Sequence, residues 1–412
     1  QRGALTAAEL SMALGKSQPT LSRLLRSLAS EVLVLGQGRA TRYALPQTLL
    51  GQPARQPLYW THPDGRIEHW GDASLLVGGN LHVAADGIAQ ISTGLPWFLT
   101  PLRAQGFLGR VLARQLAAHG LDANPERWPL EHLLFAALRL HDTPGALWLG
   151  DASTRVEAPV VGDAASFDTL AADVAGTLPA GSSAGGEQAK FLARIATGEA
   201  VLVKFTPPRG TPFGERWHDL LWAEHLALQL LSEHGVPVAA SRIVAGPQRS
   251  HFVSTRFDRI GPDGRRHVVA LDALHEAFVP GPRQHWAATC TELARQRRLP
   301  ADAPSQALAL LQFGRLIGNS DMHFGNLGVF VEPTDVAAGR GTLAPLYDML
   351  PMRWRPDASS GELGLTPFTP DDFDLQSPAR PLAAEFWSRV AAQAEIGRGF
   401  RALAREMLPR VA

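Results

Sequence analysis

The pentapeptide VLVKF, residues 201–205, sets Lys204 inside an otherwise apolar strand pattern. An ammonium group withdrawn from water is costly unless a carboxylate meets it. The chain must either supply that partner or leave the strand at a sheet edge with Lys204 facing solvent. A partner is at hand in residues 216–235, RWHDLLWAEHLALQLLSEHG. They read as a helix ending at Gly235 ahead of Pro237, with Glu224 in its middle beside Leu220, Leu221 and Leu228. Upstream, GSSAGGEQAK (181–190) is a loop of small residues that leads into the strand pattern KFLARI and the turn ATGEA. Its backbone N–H groups around Ser182, Ser183, Gly185 and Gly186 can curl around phosphate oxygens, although small residues also serve tight loops with no ligand.

A second loop, GNSDMHFGN (318–326), packs Asn319, Asp321, His323 and Asn326 into nine positions with two glycines. It lacks helix or strand periodicity and carries turn chemistry. Asx-rich loops also arise because those side chains satisfy nearby backbone groups. Asp321 and Asn326 stand five apart, the separation of the catalytic Asp and metal-binding Asn in kinase catalytic loops. In APLYDML (344–350), Asp348 follows a short strand-like run. Two carboxylates and an amide oxygen suit Mg²⁺ beside ATP phosphates, whereas an EF-hand would need alternating ligands and a distal Glu that are absent. A small-residue loop, a strand lysine and a helical glutamate, in that order, are nucleotide-positioning parts of a kinase. The loop lies only one hairpin before the lysine, unlike the eukaryotic protein kinases.

The first fifty residues have another character. LTAAELSMALGKSQPTLSRLLRSL (5–28) holds two short helical patterns broken at Gly15 and Lys16. Thr6 with Glu9 predicts a capping box, and Ser17 with Pro19 a second helix start. Leu21, Leu24, Leu25 and Leu28 form one stripe, leaving Gln18, Thr20, Ser22, Arg23 and Arg26 for phosphates and base edges. EVLVLGQGRATRYAL (31–45) predicts a hairpin with Gly36 and Gly38 at its tip and Arg39 and Arg42 beside it. Six Lys or Arg against Glu9 and Glu31 leave this segment at +4. Lys plus Arg equals Asp plus Glu at 39 each over the whole chain, so nucleic-acid binding has to be local. The segment resembles winged helix-turn-helix domains of bacterial regulators; the plainer reading is a small helical pair.

Between these regions, residues 51–105 alternate apolar and polar around Asp64-Gly65 and Gly78-Gly79, which are hairpin signals. Residues 106–142 turn helical, and an Ala-, Gly- and Asp-rich loop covers 145–180. Cys290 is the one cysteine, which excludes an internal disulfide and points to a reducing, cytoplasmic setting. No run is long and apolar enough for a membrane span. Numbering opens on Gln1 rather than Met, so native residues are expected ahead of it.

Taken in order, PWFLTPLRAQGFLGR, DTPGALWLGD, SSAGGEQAK, VLVKF, STRFDR, GNSDMHFGN and LAPLYDML resemble the HipA-family serine/threonine kinases, toxins of bacterial toxin–antitoxin systems, from about residue 60 onward. The resemblance implies a bilobed α+β kinase-like fold, with the β-rich amino-terminal lobe over 51–260 and a helical carboxy-terminal lobe over 261–412. It implies transfer of the ATP γ-phosphate to protein hydroxyls, with Mg²⁺; known members act on aminoacyl-tRNA synthetases. Asp321 corresponds to the catalytic base, Asn326 and Asp348 to metal ligands, and Lys204, paired with Glu224, to the ATP lysine. His323 and Tyr347 fall in the nucleotide pocket, Thr255, Arg256 and Phe257 match the segment at adenine, and Gly185, Gly186, Gln188 and Lys190 match the phosphate loop. Ser183 corresponds to an autophosphorylated serine. Glu187 departs from the usual phosphate loop. Members typically rely on a separate HipB antitoxin for DNA binding; residues 1–50 resemble a less common subgroup in which a helix-turn-helix is fused to the toxin. A DNA-binding regulator whose kinase-like body only senses nucleotide is the alternative, and retention of Lys204, Glu224, Asp321, Asn326 and Asp348 favours activity.

Overall fold

The computed structural model describes residues 3–38, 41–140, 142–151, 158–176, 188–357 and 363–412. The expectations for Arg39, Ser183, Gly185 and Gly186 lie outside these.

The chain opens with β1 (Leu5–Thr6), α1 (Ala7–Leu14), α2 (Gln18–Ser27), β2 (Leu33–Leu35) and β3 (Arg42–Ala44), the strands forming a sheet of order β1-β3-β2. The capping box forms as expected: Thr6 Oγ1 accepts from the Glu9 N–H, and Glu9 accepts from the Thr6 N–H at 2.7 Å. Ser17 occupies the N-cap of α2 but makes no cap bond; its hydroxyl meets Thr20 at 3.0 Å. The leucine stripe of α2 is only partly covered. Leu21 is buried, whereas Leu24 and Leu28 are about two-fifths exposed, because α1 contributes no buried residue against them.

A five-stranded antiparallel sheet follows, with β4 (Arg55–Thr61), β5 (Ile67–Leu76), β6 (Asn80–Ala85) and β7 (Ile88–Ser92). Gly65, at φ +85°, turns β4 into β5, and Gly78 and Gly79 turn β5 into β6. After α3 (Gly106–Gln115) and α4 (Leu130–Ala137), β8 (Leu147–Leu149) returns to the edge of this sheet beside β4.

A second five-stranded sheet holds the lysine. It comprises β9 (Val160–Val161), which precedes α5 (Ala164–Gly176), then β10 (Lys190–Ile195), β11 (Ala200–Phe205), β12 (Ser241–Ala245) and β13 (Ser250–Thr255), in the order β12-β13-β11-β10-β9. β11 is thus interior, which removes the edge-strand option for Lys204. Helix α6 (Pro212–Glu233) crosses between β11 and β12, starting four residues before the sequence pattern because Thr211 caps it. The short hairpin β14 (Arg259–Ile260) and β15 (Gly264–Arg265) leads to β16 (His267–Ala270), α7 (Leu271–Phe278), α8 (Trp286–Arg295) and α9 (Ala303–Leu316). Strands β17 (Gly328–Val331) and β18 (Thr342–Leu343) then complete a three-stranded sheet with β16, and α10 (Asp372–Leu375), α11 (Arg380–Ala392) and α12 (Arg398–Val411) close the chain. One continuous apolar core joins Leu58 and Trp60 of β4, the inner face of α6, and Phe313, Phe386 and Phe400 of the later helices. Among the described residues no helix is long and apolar enough to cross a membrane.

Candidate active site

Lys204 is the fifth of the six residues of β11, five of which are buried, and is itself 5% exposed. The helix of α6 brings Glu224, 1% exposed, onto the same spot. The Lys204 ammonium donates to both Glu224 carboxylate oxygens, at 2.6 and 2.7 Å, and to Oδ1 of Asp348. Three charges separated by 20 and 144 residues of chain therefore meet at one nitrogen.

Burial by itself lowers the affinity of Lys204 for its proton, but Asp348 and Glu224 outweigh that effect and keep it firmly charged. Burial likewise opposes ionisation of Asp348, yet Lys204 and then Lys190 hold its carboxyl at about 2. Glu224 goes the other way: burial pushes it up, and the Asp348 charge adds to that despite the pull of Lys204. Two carboxylates compete for one ammonium, and Glu224 is the one that yields. Lys190 lies directly across from Lys204 in the β10–β11 register, which explains its influence.

The 318–326 loop follows α9 and is built by its own Asx side chains. Asn319 Oδ1 accepts from the Asp321 N–H at 2.9 Å, and Asn326 Nδ2 donates to the Asp321 carbonyl at 2.9 Å. Asn319 Nδ2 also reaches the carbonyl of Asp348 at 3.3 Å, tying the two loops together. Asp321 itself projects with 45% of its side chain exposed, 3.8 Å from His323 Nε2. His323 caps the next turn by accepting from the Gly325 N–H, and Tyr347 donates to the Gly325 carbonyl at 2.6 Å. Asp348 adopts φ +58°, a left-handed conformation that costs a non-glycine residue of order 1 kcal/mol or more and concentrates at functional sites. The run before it is not a strand, only an extended segment bridged at Leu346 to Val238.

A carboxylate free to meet a hydroxyl stands beside a buried amide and a second carboxylate. The bond from Asn326 Nδ2 to Asp321 leaves Oδ1 as the acceptor end of that amide, the hard-oxygen donor that Mg²⁺ takes. The donor set of Asn326 and Asp348 thus fits the ion. Phe257 is half-buried against Tyr347 and Phe330, with ring centroids 5.7 Å away in each case. This aromatic wall suits a flat heterocycle.

Of the expected site residues, Lys204, Glu224, Asp321, His323, Asn326, Tyr347 and Asp348 are knit into one bonded group. Lys190 joins them through sheet register, and Gln188 Nε2 is anchored on the Phe205 carbonyl. Thr255 is bonded to Glu199 instead. The Arg256 guanidinium is 2.6 Å from Asp142 and 2.9 Å from Asp258, so two carboxylates occupy its side chain and leave its backbone for the nucleotide segment. Asn319, by contrast, fixes both Asp321 and the Asp348 backbone; the density of Asx residues in its loop was the signal for it.

Comparison with known proteins agrees with this arrangement. Residues 182–409 match the HipA-like C-terminal domain, and residues 52–157 match the middle domain of YjjJ-like toxins. The sequence is 35% identical over 430 residues to Toxin YjjJ of Escherichia coli (strain K12), spanning all of this chain and 95% of that protein. A chain from the Shewanella oneidensis MR-1 complex of HipA, HipB and operator DNA shares the fold, with a TM-score of 0.56 at 15% identity over 86% of this chain and 96% of its own length. With the HipA-like domain matched over more than half of its length and a toxin relative matched over all of it, the chain belongs to the HipA family of toxins.

Proposed function

We propose that the chain is an ATP-dependent serine/threonine protein kinase, a toxin that restrains growth by phosphorylating a protein of the translation apparatus such as an aminoacyl-tRNA synthetase. The observation that carries this reading is the convergence of Lys204, Glu224 and Asp348 beside an Asp321–Asn326 loop. Asp321 accepts or orients the proton of the incoming hydroxyl, while Lys204 presents its charge to the nucleotide phosphates. Asn326 and Asp348 would hold Mg²⁺, which when bound supplies positive charge to the phosphate oxygens. Phe257 and Tyr347 bracket the base. The exposed position of Asp321, beside a buried Lys204–Glu224 pair, suits a macromolecular acceptor. The cytoplasm is where it would act.

Two further assignments belong to the same reading. Residues 1–50 bind duplex DNA: α1, α2 and the β2–β3 hairpin have the succession of a winged helix-turn-helix, and Gln18, Ser22, Arg23, Arg26 and Arg42 are exposed. A HipB-like antitoxin is a candidate partner. Ser183 is a site of autophosphorylation, where a phosphate bearing roughly −1.5 to −2 charges would compete with ATP for the same loop.

Incubation with γ-labelled ATP and an acceptor protein tests the central claim. Asp321→Ala is expected to lose at least about 100-fold in transfer while still binding Mg·ATP. Wild-type turnover in that variant overturns the assignment. Nucleotide binding by the unaltered protein without any transfer would leave a nucleotide-sensing regulator.

A further inference from the structure

The segment Thr255–Arg266, which runs from the lysine-bearing sheet to the carboxy-terminal helices, has two faces. Its odd positions Thr255 and Phe257 point toward Glu199 and toward Tyr347 respectively. Its even positions Arg256 and Asp258 point into a buried cluster with residues 142–146, the loop that precedes β8 of the first five-stranded sheet.

This cluster is dense. Arg256 binds Asp258 through two nitrogens, at 3.0 and 2.9 Å, and Asp142 at 2.6 Å. Arg259 binds Asp142 at 2.6 Å, Asp258 at 2.7 Å and the Thr143 carbonyl at 2.6 Å. Asp258 also accepts from the Gly145 N–H at 2.8 Å. Gly145, at φ +80°, has no room for a Cβ, which would come within 2.8 Å of His267 Nδ1. Beyond this loop His267 fastens the far end of the segment, between the Phe98 carbonyl at 2.9 Å and the Ala146 N–H at 3.3 Å. Arg256, Asp258 and Arg259 are each almost fully enclosed, so their charges depend on one another.

Among the described residues, Asp142 is the one charged side chain that these ion pairs bring to the cluster from outside the segment. It faces Arg256 and Arg259 directly, with Arg265 adding further positive potential. Removing it would leave two close guanidinium groups with Asp258 as their shared counter-charge, and like charges in a poorly solvated site repel strongly. Strain there passes to Phe257, one residue from Arg256, and through its ring contact to Tyr347, which is bonded to the 318–326 loop.

We infer that Asp142 is a positioning residue for nucleotide binding: the 142–146 loop clamps the inter-lobe segment from behind and so fixes Phe257 against Tyr347 in front. The inference rests on the kinase reading above. The first sheet is then not a passive appendage; through the 142–146 loop it sets the affinity of a site built on other elements.

Isothermal titration of the full chain with the non-hydrolysable Mg·AMPPNP, alongside hydrogen exchange of the nucleotide-free protein, tests it. Asp142→Asn is expected to weaken binding about tenfold, a change of the size of one lost charge-assisted contact, at unchanged stoichiometry. Exchange should quicken across residues 255–267, and Asp142→Glu should restore most of both. In a labelled-ATP assay the same variant should raise KM with kcat within about twofold, since Asp321 is untouched. Unchanged affinity with a reduced folded fraction makes Asp142 merely structural and overturns the inference. If Asp142→Asn cannot be recovered folded, the titration on Arg259→Lys decides, because it keeps the charge and loses the two-pronged geometry: wild-type affinity there also overturns it. If the unaltered protein binds no nucleotide, the kinase reading fails instead, and exchange at 255–267 still judges the clamp, unaltered protection in Asp142→Asn refuting it.

Discussion

Lys204 keeps 5% of its surface exposed and has a carboxylate on either side, whereas Arg23, Arg26 and Arg42 of the amino-terminal unit stand in solvent. The apolar parts differ in the same sense. The body has a large core that joins the first five-stranded sheet to its long helices, and a separate core of Phe191, Val201, Val203 and Phe205 under the second sheet. The amino-terminal unit gathers Leu35 and Ala44 around Leu76, which is borrowed from β5, and α1 buries nothing. Backbone bonds from Gln47 to Leu75 and from Val77 to Leu45 continue this seam. A site that must hold buried charges in fixed relation needs packing on every side. A surface that meets a polyanion needs only cations displayed in the right place. The two regions therefore answer differently to the same kind of substitution.

The largest contrast is expected from Lys204→Met. It leaves Glu224 and Asp348 facing each other without their shared ammonium, a loss of about 3–5 kcal/mol in stability at pH 8. The deficit should shrink as pH falls, because Glu224, already pushed up by burial, takes a proton and relieves the repulsion. Chemical denaturation of both proteins across pH measures this; a deficit independent of pH would show that the two carboxylates do not sense each other.

His267 gives a change of opposite pH dependence and smaller size in the unaltered protein. Burial holds its imidazole down at about 4, against an ordinary 6.5. Unfolded chains therefore take up a proton between those values that the folded protein refuses. Stability contributed by the neutral ring is complete above pH 6.5 and is lost as pH falls toward 4, about 3 kcal/mol in all. Replacing His267 by Gln should flatten that part of the stability–pH curve. The first fifty residues contain no histidine, so the effect belongs to the body alone.

The smallest stability effect is expected where the effect on binding is clearest. Arg23→Ala should alter stability by no more than about 0.5 kcal/mol, as an exposed side chain does. If Arg23 meets a phosphate, the logarithmic salt slope of duplex-DNA binding should fall by about 0.9. A slope that stays constant through Arg23→Ala and Arg42→Ala alike would separate this unit from DNA recognition.

Much of the site could be read along the chain because its parts are local. A lone lysine in an apolar strand demands a counter-charge, and Glu224 in the next helix answers it. Five residues of spacing bring Asp321 and Asn326 into one loop. The capping box at Thr6 and the glycine turns after β4 and β5 involve partners a few residues apart, so propensity and periodicity suffice. The leucine stripe of α2 was legible as a pattern and misleading as burial, since covering it depends on what packs opposite, and α1 leaves Leu24 and Leu28 open.

Residue types and spacing by themselves determined the Lys204 problem, the Asx-rich loop, the neutral overall charge and the local excess of +4 at the front, because each is fixed by neighbours in sequence. Tertiary structure alone decided that Asp348 shares Lys204 with Glu224 across 144 residues, and that the Arg256 side chain is held by Asp142 as well as by its near neighbour Asp258. It also decided that Asn319 holds the two loops in step. A charge takes whichever counter-charge the folded backbone brings within about 3 Å, and no local pattern specifies that choice.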